Sequence, residues 1–197
     1  MKLKFKEMYD YKTNCYILST DSKDFIIDPG RDSASWVKEN VKNPVGIFLT
    51  HGHYDHIWCA CELRKALNVK IYIPKDDAFM LGSDVFEMGY KTCEADVLVE
   101  HDEEFDFSGT KLKFHFFPGH TPGCSAIELE DLLFSGDFVF NGAVGRSDFT
   151  YSNKKDMRKS IEKILKWNKE IHIYPGHGSA TTLEAQRENL EFFYSDI

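Results

Sequence analysis

The chain has 197 residues, 42% of them hydrophobic and 14% aromatic, with a formal net charge of −8. That is enough apolar material for a core, and the length suits one domain of generous size, taken here as 1–197, or two very small ones. The acidic balance argues against a nucleic-acid binder or a protein of anionic membrane surfaces, and no apolar run has the length of a membrane span. Five cysteines (Cys15, Cys59, Cys61, Cys93, Cys124) form no regular framework, and the N-terminus lacks a signal-peptide pattern, so a reduced cytoplasmic setting is expected.

In chain order, Lys2 to Met8 alternates charge and apolarity as an edge strand does. Cys15–Leu18 and Asp24–Ile27 predict two more strands around a turn at Asp21-Ser22, and Asp28-Pro29-Gly30 ends the third sharply. A helix from Ser33 places Trp36, Val37 and Val41 on one face. Val45–Leu49 is a short apolar strand, and Ile57–Leu67 reads as a helix. Val69–Ile73 predicts a strand closed by Pro74, Lys75–Leu81 a short helix, and Gly82–Asp96 a loop. Lys111–Phe117 is a strand with Leu112, Phe114 and Phe116 on one face, and 125–129 with 131–134 a hairpin. Lys154–Trp167 is the clearest helix, its Met157, Ile161, Ile164 and Leu165 forming a stripe. Ile171–Tyr174 predicts a strand, and Thr181 with Glu184 a capping box for a last helix to Phe193. This order, strands then helix then strand–helix units and run through twice, predicts two packed sheets with helices outside them.

Between the strand 45–49 and the helix lies Thr50-His51-Gly52-His53-Tyr54-Asp55-His56. Imidazole and carboxylate donors at this density suit zinc, iron or manganese. His51 and His53 can point the same way from an extended loop, while Asp55 and His56 point elsewhere and can serve a second centre. Three later stretches repeat one design, a strand end followed by glycine or proline and a metal-type side chain: Gly119-His120-Thr121-Pro122-Gly123, Ser135-Gly136-Asp137 and Pro175-Gly176-His177-Gly178. Singly, His120 is an ordinary turn histidine and Asp137 an ordinary cap; four such stations in one small chain point to a metal site. The ligand count accommodates two divalent ions: His51, His53 and His120 on one, Asp55, His56 and His177 on the other, and Asp137 bridging. Two such ions activate water and polarise an acyl carbonyl without a serine or cysteine nucleophile. His101 lies in an acidic run with Asp102, Glu103 and Glu104 and reads as a solvated loop residue, His115 alternates against the apolar face of 111–117, and His172 has no ligand-like neighbours; none of the three is expected to hold a metal. Cys59 and Cys61, two apart on a helix, make a poor metal pair and read as core or semi-buried thiols; Cys124, after the His120 turn, reads first as a small buried residue and second as lining the site.

These four stretches, in this order and over nearly the whole chain, resemble the metal motifs of the metallo-β-lactamase superfamily and are most similar to its glyoxalase II-like branch, in particular to short bacterial type II hydroxyacylglutathione hydrolases. The resemblance implies an α/β fold, a four-layer αββα sandwich with the metals at one edge of its sheets, and Asp28 supporting the metal loops from behind. It implies hydrolysis of a thioester such as S-lactoylglutathione by a metal-bound hydroxide, with Asp55 orienting that hydroxide or taking its proton. Two ions are implied, zinc before iron or manganese. Arg146 falls where the branch has a lysine that holds a glutathione carboxylate; it either does that work or makes a loop salt bridge. The chain departs from the branch in two places, carrying Ile57 and Trp58 where small residues are usual and Asp148 where a tyrosine is usual, and it is expected to lack the branch's C-terminal glutathione-binding helical domain. The rival resemblance is to mononuclear-iron persulfide dioxygenases, which share the fold and a loop like Gly145–Phe149; Pro122 and Gly176 favour the hydrolase. The expected partner is a small thioester or ester, with no nucleic acid and no membrane.

Overall fold

A computed structural model describes residues 1–9, 11–20 and 22–197. Asp21, part of the expected turn with Ser22, lies outside the described residues. The chain divides into two compact units, Met1–Val99 and Glu100–Ile197.

The first unit contains β1 (Lys2–Met8), β2 (Thr13–Ser19), β3 (Asp24–Ile27), α1 (Ser33–Asn40), β4 (Pro44–Phe48), α2 (Tyr54–Ile57), α3 (Ala60–Leu67), β5 (Ile71–Pro74), a 3-10 turn (Lys75–Asp77), α4 (Ala78–Gly82) and β6 (Val97–Val99). Its six strands form one sheet in the order β1-β2-β3-β4-β5-β6. The first three pair antiparallel, and β3 to β6 pair parallel. Parallel pairing makes the C-terminal ends of β3, β4 and β5 open on the same edge of the sheet, where α/β proteins place their chemistry. Asp28, the histidine-rich stretch and Asp77 all follow those ends. On one face Phe25, Phe48 and Tyr72 stack across three strands, with centroids 5.7 and 4.8 Å apart. Cys15, Ile17, Ile26, Ile47 and Ile73 belong to a buried core with Val37 of α1 and Leu63 of α3.

The second unit contains β7 (Glu104–Phe107), β8 (Thr110–Phe116), β9 (Ser125–Leu129), β10 (Leu132–Gly136), β11 (Val139–Phe140), β12 (Ala143–Val144), α5 (Lys154–Leu165), β13 (His172–Pro175), β14 (Thr181–Thr182) and α6 (Leu183–Asp196). Six of its strands form a sheet in the order β14-β13-β10-β9-β8-β7, and β11 with β12 makes a small ribbon. Asn153 caps α5 by accepting from the amides of Lys155 and Asp156. Met157, Ile161 and Ile164 bury the predicted stripe in a core with Phe117, Phe138 and Leu190. β10 and β13 run parallel, so Asp137 and His177, each just past a strand end, are delivered to one edge.

Four expectations are corrected. The helix read as 57–67 is two, because the Cys59 amide leaves the helical ladder to donate to Pro29 O at 3.0 Å; Tyr54, Asp55 and His56 are helical in α2. Cys61 is not a thiol but is disulfide-bonded to Cys93, which staples the 83–96 loop to α3. The cap of α6 is Thr182, whose hydroxyl accepts from the Ala185 amide at 3.2 Å, rather than Thr181. β6 and β7 were not expected.

Candidate metal centre

In the first unit the donors are arranged around Asp28. Its backbone sits in the left-handed region at φ 47°, and its side chain is buried. Its Oδ1 accepts from the Thr50 amide at 2.8 Å, and its Oδ2 accepts from the Thr50 hydroxyl at 2.6 Å and lies 2.9 Å from His56 Nδ1. The carboxylate can only accept, so His56 carries its proton on Nδ1 and its lone pair on Nε2. Thr50 spends its own proton on Asp28, so at 3.0 Å from His51 Nδ1 its oxygen accepts, and His51 takes the same tautomer. Asp28 therefore sets the Nε2 donors of two fully buried histidines, one directly and one through Thr50. Asp28, His51 and His56 each offer a ligand-type atom within 4.8 Å of the others, but with both Asp28 oxygens engaged this carboxylate acts from behind the donors. Its charge also adds to the effect of burial in pushing the Cys15 thiol well up.

The loop that carries His51 and His53 is pinned on its other side. Asp77, fully buried, accepts from the Gly52 amide through Oδ2 at 2.9 Å. A Cβ at Gly52 would lie 2.8 Å from Met80 Sδ and 2.9 Å from Asp77 O, so only glycine passes there. The rings of His51 and His53 stand 4.9 Å apart, centroid to centroid. Asp55 is held by Thr13, whose hydroxyl donates to Oδ2 at 2.7 Å; the same oxygen is 3.4 Å from His56 Nε2.

In the second unit His120 Nδ1 lies 2.8 Å from the carbonyl of Arg146. A carbonyl only accepts, so here too the proton is on Nδ1 and the lone pair on Nε2. Asp137 Oδ2 lies 3.5 Å from His120 Nε2 and 3.4 Å from His177 Nε2. A Cβ on Gly145 would fall 1.8 Å from Asp137 O, so the Arg146 loop passes directly against the Asp137 backbone because residue 145 has no side chain. The Gly176 amide donates to Gly136 O at 2.8 Å and ties the two strand ends together.

These separations test the residues against a metal. Carboxylate-to-imidazole distances of 3.4–3.5 Å exceed the N–H···O range of about 2.7–3.2 Å. Two donors each about 2.1 Å from one ion at a tetrahedral angle stand about 3.4 Å apart. Distance, tautomer and donor chemistry agree, and the residues fit divalent ions.

Each unit thus brings its own predicted donors together: His51, His53, Asp55 and His56 in the first, His120, Asp137 and His177 in the second. Arg146 makes the loop ion pair. Its Nε and Nη2 each contact Asp148 at 2.9 Å, and its guanidinium lies over Phe149. Ile57 is fully buried in the first core, and Trp58 faces the Arg31 guanidinium at 4.5 Å. Sequence reasoning passed over Asp77 and Thr13. The only signal for Asp77 was an acid at the end of a strand parallel to the one that feeds the histidines.

Two α/β units, each with a six-stranded sheet and imidazole and carboxylate donors at its strand ends, define a metal-binding α/β protein. Residues 8–177 match the metallo-beta-lactamase superfamily, and the chain belongs to it. It is similar to the hydroxyacylglutathione hydrolase GloC of Haemophilus influenzae, 32% identical over an alignment of 203 positions that covers 94% of each chain. Among solved structures it is similar to the BLEG-1 B3 metallo-beta-lactamase, with a TM-score of 0.88, 26% identity and coverage of 98% of this chain and 99% of that one. It is also similar to TTHA1623 in a di-iron-bound form, with a TM-score of 0.78, 26% identity and coverage of 93% and 96%. The chain has the metallo-β-lactamase fold, and its family consists mostly of hydrolytic metal enzymes.

Proposed function

We propose that the chain is a binuclear metal hydrolase of thioesters, glyoxalase II-like, with S-lactoylglutathione as the model substrate. His51, His53 and His120 would hold one ion, Asp55, His56 and His177 the other, with Asp137 shared; zinc fits this donor set, and the di-iron form of TTHA1623 brings iron in equally. When bound, two such ions lower the pKa of water and polarise an acyl carbonyl. The chain's own residues supply the rest. Asp28 and Thr50 lock the imidazole tautomers, Thr13 fixes the orientation of the Asp55 carboxylate, and that carboxylate takes the proton of the attacking water. The observation that carries this reading is the set of 3.4–3.5 Å carboxylate-to-Nε2 separations at Asp55 and Asp137. The similarity to GloC supports the thioester as substrate. For Arg146 to bind a substrate carboxylate with its fork, Asp148 must first be displaced.

The test is elemental analysis of the purified protein, followed on the same sample by assays with S-lactoylglutathione and a β-lactam. Two ions per chain with thioester turnover are expected. One iron per chain, no thioester turnover and oxygen uptake with glutathione persulfide would replace the hydrolase with the dioxygenase; β-lactam turnover alone would replace the thioester.

A further inference from the structure

We propose that Arg31 is a substrate-anion subsite, taking a carboxylate on the part of the substrate that leaves as thiol or alcohol. The inference deepens the hydrolase reading and rests on it for the identity of the substrate.

Arg31 follows Asp28-Pro29-Gly30, the loop that carries the tautomer-setting carboxylate. That loop lies directly on the metal motif: a Cβ at Gly30 would fall 2.3 Å from Asp55 O. The guanidinium lies over two aromatic rings, 3.9 Å from the Tyr9 centroid and 4.5 Å from that of Trp58. Contact with two rings restrains the guanidinium without using its N–H groups, the part that grips a carboxylate in a fork. Among the described residues no carboxylate pairs with it, whereas the forks of Arg64 and Arg146 are closed by Asp96 and Asp148. Arg31 is only partly buried, so an anion can reach it.

A strip of aromatic rings leads from this cation to a metal-type histidine. Tyr9 is 6.1 Å from Tyr11, Tyr11 is 5.4 Å from Tyr54, Tyr54 is 5.6 Å from Phe86, and Phe86 is 5.5 Å from the His53 ring. Phe86 belongs to the 83–96 segment, which the Cys61–Cys93 disulfide and the Tyr90 hydroxyl, donating to Met80 O of α4, hold in place. A cation and metal-type donors beside one apolar wall suit a thioester or ester whose leaving part carries a carboxylate. That carboxylate would sit at Arg31 and the scissile carbonyl at the donors, with the rings as the apolar side of the site.

The experiment uses two probes that differ in one group: N-acetyl-S-benzylcysteine, a thioether that cannot be hydrolysed, and its primary amide. Binding to the metal-free protein is measured by calorimetry for the natural chain, Arg31→Gln and Arg31→Lys. The natural chain should prefer the acid about tenfold, the scale of one charge-assisted pair. Arg31→Gln should lose that preference while binding the amide unchanged, and Arg31→Lys should keep part of it. No preference in the natural chain, or the same preference in Arg31→Gln, overturns the subsite. Matching near-ultraviolet circular dichroism shows that the variants fold. In parallel, the metal-loaded protein is assayed on S-lactoyl-N-acetylcysteine and its amide, where Arg31→Gln should raise KM about tenfold for the acid only. An Arg31-dependent acid preference in binding, with no turnover of either thioester, would support the subsite and refute the hydrolase.

Discussion

Replacing Asp28 with asparagine separates the support of the metal centre from the donors themselves. Asp28 accepts from the Thr50 amide, the Thr50 hydroxyl and His56 Nδ1, and none of these contacts involves a ligand atom. Asparagine keeps the shape but has one acceptor oxygen and an NH2 group that must face a donor. The three bonds cannot all survive. If Oδ1 keeps the Thr50 amide, the NH2 faces His56 Nδ1 and Thr50, and the imidazole must move its proton to Nε2 to accept from it, which removes the donor lone pair. Loss of such a supporting contact weakens metal binding by about 10–100-fold, or about 1.4–2.8 kcal/mol. A buried group left without a partner also costs about 1–3 kcal/mol in stability. The assay is competition against a chromophoric chelator for the natural chain and Asp28→Asn, with thermal melting of both metal-free proteins to record the folding cost separately. Unchanged metal affinity, with a melting temperature lowered by a few degrees, would show that Asp28 serves the fold alone and would refute the tautomer argument.

Asp137→Ala should lower metal content below two ions per chain together with thioester turnover; full occupancy by elemental analysis would exclude the bridge. Thr13→Val removes the hydroxyl that orients Asp55 and should lower kcat several-fold with little change in KM; an unchanged kcat would leave Thr13 as packing. Cys61→Ser with Cys93→Ser opens a loop with a sequence separation of 32 and should cost about 3–4 kcal/mol by the chain-entropy relation, read as a lower urea midpoint; no change would mean that the 83–96 segment is held by its other contacts. Glu128 is depressed from 4.5 to about 2: its bonds to His115 and Lys169 and their charges outweigh the opposing effect of burial. A depressed folded pKa contributes stability that is complete above the unfolded pKa and lost as pH falls, here from about 4.5 to about 2. Over that window the natural chain should lose stability more steeply than Glu128→Gln, and parallel urea midpoints would refute the linkage.

Much of the fold was legible because its signals are local. The alternation of Leu112 and Phe114 marks β8, and the stripe from Met157 to Ile164 marks α5. The misses come where a distant partner decides. The sequence from Ile57 to Leu67 has helical spacing throughout, but Pro29 O captures the Cys59 amide and the helix breaks there. Thr181 and Thr182 both offer a capping hydroxyl. Thr181 pairs with Ile173 in β14 and its hydroxyl accepts from the Gln186 side chain, which leaves the cap to Thr182. β6 is three residues beside an acidic run, and it exists because Val97 pairs with Tyr72 across a parallel ladder. The Cys61–Cys93 bond needs a loop to fold back over 32 positions, and no spacing rule reports that.

The same division runs through the candidate site. The metal-type residues were legible because each follows a strand with glycine or proline beside it, a pattern confined to a few adjacent positions. The residues that give those donors their chemistry are not of this kind. Thr13 reaches Asp55 from 42 positions away and Asp77 reaches Gly52 from 25; each is an ordinary polar residue until the parallel strand ends meet. The arginines make the point most sharply. Arg146 stands out in the sequence because of its neighbours, and Asp148 two positions on already hints that its fork is closed. Arg31 follows Asp28-Pro29-Gly30, which reads as a strand end and carries no sign of an anion site. What distinguishes it is that two aromatic rings, Tyr9 just past β1 and Trp58 between α2 and α3, lie against its guanidinium while no described acid pairs with it. Sequence displays where a charge is, but whether that charge is already committed is a property of the folded chain, and for recognition of an anion that commitment decides which arginine can act.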